Sequence, residues 1–151
     1  MKMSAIMCVA LALCFTCADA QVEVTQNPAN EIPATFDVDA MSFASTTSKQ
    51  SRLDIYAAIG YEQLTFVKKE DKFVASYEMT VNVFDSSNSL MSEKLWTEEV
   101  DVPNFDQSVS SASYSPVRRS IELPPGFYKI SILCRDLESR VVRRVTKQLT
   151  V

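Results

Sequence analysis

The stretch KFVASYEMTVNVF, Lys72 to Phe84, constrains the fold more than any other. Phe73, Ala75, Tyr77, Met79, Val81 and Val83 fall on one side of an extended chain. Val74, Ser76, Glu78, Thr80 and Asn82 fall on the other. Successive side chains leave a pleated backbone in opposite directions, so alternation sustained this long is the period of a β-strand. A helix would scatter the same apolar set around its circumference. This strand is therefore predicted to turn one face to a core.

Its neighbours follow the same rule. DSSNS (Asp85 to Ser89) is a turn cluster and LMSEKLWTEEVDV a return strand, which together predict a long hairpin. SRLDIYAAI puts Leu53, Ile55, Ala57 and Ile59 on one face, and QLTFVKK contributes Leu64 and Phe66. FYKISILCRD groups Tyr128, Ile130, Ile132 and Cys134. RVVRRVTKQLTV groups Val141, Val145, Leu149 and Val151, with Arg143 and Lys147 interrupting that face. DLES turns the chain between these two, predicting a second hairpin. ATFDVDAMSF alternates weakly and is a possible first strand. DVPNFDQSVSSASYSPVRR reads as a loose, serine-rich connection ahead of the short strand RSIEL. In the PPG that follows, Pro125-Gly126 suits the centre of a type II turn, with Gly126 supplying a positive φ.

No segment carries a sustained helical period. Seven or eight strands with short turns predict an all-β fold, a single antiparallel β-sandwich of the immunoglobulin-like kind. An open-ended barrel is the alternative. Gly60 and Gly126 are the only glycines, few for the bends of a closed barrel.

The 151 residues divide into three parts. Residues 1–20 have the pattern of a secretory signal peptide: Lys2, the apolar run AIMCVALALCFT, and Ala18 and Ala20 as an A-x-A cleavage site. The run is shorter than the roughly 20 residues a membrane span requires, so no stable membrane insertion is expected. A lipoprotein anchor needs small residues ahead of its cysteine. Leu13 precedes Cys14 and Phe15-Thr16 precede Cys17, which argues against one. Residues 21–50 form a leader with the possible first strand, and 51–151 form the β-sandwich domain. Cys8, Cys14 and Cys17 leave with the signal, so Cys134 has no intrachain partner, although export makes disulfides available. The expected location is periplasmic or secreted.

The chain contains no histidine. That removes Ser-His-Asp and Cys-His nucleophile activation and nearly all zinc and copper sites. There is no glycine-rich phosphate loop. Glycoside hydrolysis needs two carboxyl groups about 5–10 Å apart across a cleft. Glu98 and Glu99 point to opposite faces of a strand; Glu99 and Asp101 share one, which reads as a solvated surface. DSSNS lacks the glycine and terminal glutamate of a calcium loop. No catalytic, cofactor-binding or metal residue is assigned, no cofactor is implied, and the chain is not expected to be an enzyme. The net charge of −4 disfavours a nucleic-acid partner.

Trp96 is the one tryptophan. It could be a sugar platform or a core plug. It shares its register with Lys94, Glu98, Val100 and Val102, while Phe66, Phe73, Tyr77 and Tyr128 occupy apolar registers. No row of exposed rings accompanies it, so Trp96 is expected at the rim of the core, its ring capped by neighbouring stems. Arg118, Arg119, Arg135, Arg140, Arg143, Arg144 and Lys147 form either a charged solvent face, partly neutralised by Asp136 and Glu138, or a patch for an acidic partner. Cations on an edge strand also oppose sheet-to-sheet aggregation.

RLDIYAAIGYEQLTFVKKEDKFVASYEMTVNVFD, then EKLWTEEVDV, IELPPGFYKISILCRDLESR and the final strand resemble, in order, the N-terminal β-domain of bacterial GWxTD-domain-containing proteins. The resemblance runs from Arg52 to Val151. The Gly-Trp-x-Thr-Asp motif itself is absent, so the similarity is to that β-domain standing alone or in a truncated relative. It implies an exported bacterial protein, and it implies no activity and no site residues. The expectation is an exported, non-catalytic β-sandwich that binds a protein partner or has a structural role in the cell envelope. The alternative is a carbohydrate- or envelope-binding module. Neither the partner's identity nor the oligomeric state follows from the sequence.

Overall fold

The computed structural model describes residues 31–33 and 36–151. The signal segment expected at 1–20 and the first part of the leader lie outside the described residues. The strands are β1 (Glu31–Pro33), β2 (Asp37–Ala44), β3 (Ser51–Gly60), β4 (Val67–Lys69), β5 (Lys72–Phe84), β6 (Leu90–Val102), β7 (Tyr114–Leu123), β8 (Phe127–Asp136) and β9 (Val142–Thr150). In the larger sheet the order is β1-β9-β8-β5-β4, and β6 pairs with the other side of β5. The smaller sheet is β2-β3-β7. Pairing is antiparallel except between β1 and β9. The chain changes sheets after β1, β3, β6 and β7, which makes an immunoglobulin-like β-sandwich.

The faces read from the alternation meet between the sheets. Leu53, Ile55, Ala57 and Ile59 of β3 and Val117, Ile121 and Leu123 of β7 come from the smaller sheet. Tyr77, Met79, Val81 and Val83 of β5 and Tyr128, Ile130, Ile132 and Cys134 of β8 come from the larger. Val145 and Leu149 of β9 pack against this cluster and Val151 closes it. Burying each large apolar side chain stabilises the fold by about 1.5–3 kcal/mol.

The two hairpins form, and aspartates build their turns. The Asp85 carboxylate accepts from the backbone N–H of Ser87 and Ser89 at 2.8 and 2.9 Å, while Asn88 takes a positive φ of 65°. At the β8–β9 turn the buried Asp136 carboxylate accepts from the N–H of Glu138 and Ser139. It also accepts from Thr65 N–H, which ties in the segment ahead of β4.

Three local expectations are corrected. First, the serine-rich connection is not all loop. A one-turn helix α1, Phe105–Ser108, is capped by Asn104, whose Oδ1 accepts from Gln107 N–H at 3.0 Å. β7 then begins at Tyr114 and includes SPVRR. Two of its five inward positions, Ser115 and Arg119, are polar, which hid the alternation. Pro116 is tolerated because β7, among the described residues, pairs only with β3 and is an edge strand. Second, QLTFVKK is a 3-10 turn at Tyr61–Gln63 followed by the short β4. Third, neither glycine has a positive φ. Gly126 therefore does not supply the positive φ expected of a type II turn, and the PPG carries the chain from β7 in one sheet to β8 in the other. Gly126 instead exchanges backbone hydrogen bonds with Val151 at 3.0 and 2.8 Å. A Cβ there would stand 3.3 Å from the Tyr128 ring. That ring turns back over the corner, and Tyr128 Oη donates to Pro124 O at 2.8 Å, the tyrosine corner of immunoglobulin-like domains.

Tyr128→Phe removes this bond and little else. We expect a stability loss of about 1 kcal/mol in urea unfolding, with the slope of the transition unchanged. An unaltered midpoint would mean that the corner contributes nothing.

Candidate functional site

Trp96 stands on the inner face of β6, opposite Met79, and packs against the core. Arg119 reaches across from the inner face of β7. Its guanidinium lies 4.9 Å from the indole centroid and pairs with Glu98. The arginine thus covers the indole, whose Nε1 is buried and, among the described residues, without a hydrogen-bond partner. Beside it, Tyr77 Oη and Ser115 Oγ are 2.7 Å apart. Burial pushes the Tyr77 phenol up to about 12. Polar and aromatic groups therefore close the β6–β7 side of the sandwich where aliphatic packing runs out. No open platform exists at Trp96.

The three acidic residues near Trp96 do not converge. Glu98 is bound to Arg119 on the inner face. Glu99 and Asp101 have the opposite parity along β6, and Asp101 lies 3.4 Å from Lys72. The cations are likewise dispersed. Arg118 and Arg119 project to opposite faces of β7, Arg135 meets Glu78 at 3.8 Å, and Lys147 meets Asp39 at 4.0 Å. Cys134 is buried and unpaired with another cysteine. Burial raises its thiol to about 12, so it stays protonated and is a poor nucleophile. Among the described residues no group of three histidine, cysteine or acidic side chains could hold a metal ion. No helix among them is long and apolar enough to cross a membrane.

Sequence reasoning missed Asp54. It lies on the outer face of the smaller sheet yet is fully shielded from solvent. Ser120 Oγ donates at 2.7 Å, Arg118 Nη2 at 2.8 Å, and Arg52 Nε lies 3.0 Å away. The Ser120 hydroxyl, opposing the cost of burial, leads in holding its carboxyl below the ordinary value, with Arg118 and Arg52 adding to it. The signal was available only through register, because Ser120 is the cross-strand partner of Asp54. A carboxylate shielded from solvent and held by these neighbours is closed to a substrate.

Two surface features bear on function. One is the free edge of β6, which carries the exposed Leu90, Met91 and Leu95. The other is a cavity of about 390 Å³ on the outer face of the larger sheet, lined by Asn82, Phe84, Lys129, Ser131, Leu133, Arg144 and Thr146. A further depression of similar size, more apolar, surrounds Tyr56, Ala58 and Pro116 on the smaller sheet.

No family model matches the chain, and no curated protein matches it. Solved structures do. A putative β-galactosidase from Bacteroides fragilis superposes with a TM-score of 0.51 at 11% identity, covering 76% of this chain and 16% of that one. A glycosyl hydrolase family 2 member from Bacteroides cellulosilyticus gives 0.50 at 10% identity, covering 76% and 14%. At this identity the likeness is one of fold. The chain spans about one-sixth of those proteins' length or less.

Asp54 has a lowered folded value, so its stabilisation is present at neutral pH and is lost as pH falls through that value, below 3.8. Asp54→Asn should be less stable than the native chain at pH 7, and the gap should narrow on acidification to pH 3. Unfolding midpoints of both proteins across that range test this; a gap independent of pH would contradict it.

Proposed function

We propose that the chain is an exported, non-catalytic β-sandwich, related to the β-domain of GWxTD-domain-containing proteins. It would work in the periplasm or outside the cell by binding another protein, as an interaction or structural module of the envelope. The observation that carries this reading is the free edge of β6. That strand is 13 residues long and, among the described residues, pairs only with β5. Leu90, Met91 and Leu95 on it are 54%, 47% and 59% exposed. A long edge strand with exposed apolar side chains is a template for strand addition unless something covers it.

The charge of the strand indicates the partner. Between Glu93 and Asp101 it carries Glu93 and Glu99 against the single cation Lys94, while Glu98 and Asp101 are paired with Arg119 and Lys72. A second copy of this chain would bring like charges together, whereas a strand bearing lysine or arginine would be complementary. The buried thiol, the dispersed carboxylates and the absence of histidine support a non-catalytic reading. So does the likeness to a small portion of two much longer proteins, in which such a domain would be accessory. A carbohydrate-binding module is the second reading, favoured by the polar cavity on the larger sheet.

The paired substitution Met91→Lys and Leu95→Lys tests the first reading, since both side chains are already exposed and the fold should persist. Native and substituted proteins, compared by affinity capture from an envelope fraction, should differ by loss of a specific partner from the substituted one. A partner retained equally by both, or no partner for either, would contradict the reading.

A further inference from the structure

The outer face of the larger sheet holds an arrangement that packing does not explain. Asn82, Ser131 and Thr146 stand in one cross-strand row over β5, β8 and β9. On one side of the row are Phe84 and Lys129, and on the other Leu133 and Arg144. Together these side chains line the cavity of about 390 Å³, within the range of roughly 300–1,000 Å³ typical of small-molecule sites. Ser131 and Leu133 are 9% and 8% exposed and form its floor, although they face away from the core.

The chemistry of the lining is specific. The Asn82 Oδ1 is shut off from solvent and has no hydrogen-bond partner. A buried acceptor left unpaired is costly and calls for a donor from outside. Ser131 and Thr146 add two hydroxyls that can donate or accept. The Lys129 ammonium lies 5.0 Å over the Phe84 ring. It is held by the Asn88 side-chain oxygen, a neutral acceptor that a carboxylate can displace, because hydrogen bonds between ionised groups are stronger. Among the described residues no aspartate or glutamate lines the cavity.

We propose that this cavity is a subsite for an acidic saccharide, one sugar ring bearing a carboxylate. The Asn82 amide turns outward on binding so that its Oδ1 accepts from a ring hydroxyl, neighbouring hydroxyls pair with Ser131 and Thr146, and the carboxylate takes Lys129 from Asn88. The site is separate from the β6 edge and does not rest on binding there. It is also on the face opposite to Trp96, so occupancy leaves the indole untouched.

The test is NMR titration of the full chain with glucuronate and an oligogalacturonate, against glucose and a neutral oligogalactoside. The acidic ligands should saturably shift the Asn82 side-chain amide and the Ser131 and Lys129 resonances, and bind at least about tenfold tighter than the neutral ones. Asn82→Leu and Lys129→Met should each weaken the acidic ligand about tenfold. Thr146→Val, a surface change that preserves β-propensity, covers the case in which Asn82→Leu disturbs the fold. The Met91→Lys, Leu95→Lys protein should bind as the native one does, which separates this site from the edge. Absence of shifts with every saccharide, equal affinity for acidic and neutral rings, or affinity indifferent to all three variants would overturn the proposal.

Discussion

The contact between the inner faces of β5 and β8 and those of β3 and β7 is what the rest of the molecule depends on. Tyr77, Met79, Val81 and Val83 are at most 1% exposed. They are buried because β5 has a neighbour on each side, β6 and β8, and a second sheet above it. Everything else is positioned by that layer. The Tyr128 corner steers the chain from one sheet to the other at one end. Asp136 pins the β8–β9 turn and the approach to β4 at the other.

Where the aliphatic layer stops, polar groups close the structure. Along the β6–β7 side, Arg119, Glu98 and Trp96 interlock across the gap between sheets, and Tyr77 reaches Ser115. On the outer face of the smaller sheet, Asp54 is neutralised by two arginines and a hydroxyl. These contacts hold Glu98, Arg119 and Asp54 in structural roles. The strand edge of β6 and the polar cavity on the larger sheet lie on a scaffold whose interior is committed to packing.

Sequence legibility followed the regularity of the burial. β3, β5 and β8 alternate cleanly because one face of each is in the core, and their inward residues were read correctly. β7 was half-missed because Ser115 and Arg119 face inward to serve polar contacts with β5 and β6, so hydrophobicity and orientation part company there. The PPG was misread because a local motif cannot show that its flanking strands lie in different sheets; the glycine answers to the Tyr128 ring and to Val151. Trp96 was placed at the core's rim from its register alone. Neither Asp54 nor the row Asn82–Ser131–Thr146 was legible, since both arise from cross-strand register among residues distant in sequence.

Backbone amide hydrogen exchange tests the central claim most directly: a two-sheet sandwich whose β6 edge is open. The account predicts the slowest exchange in β5 and β8, and in β6 an alternation of protected and fast amides, the fast ones pointing away from β5. Uniform protection along β6, or rapid exchange throughout β5, would contradict it.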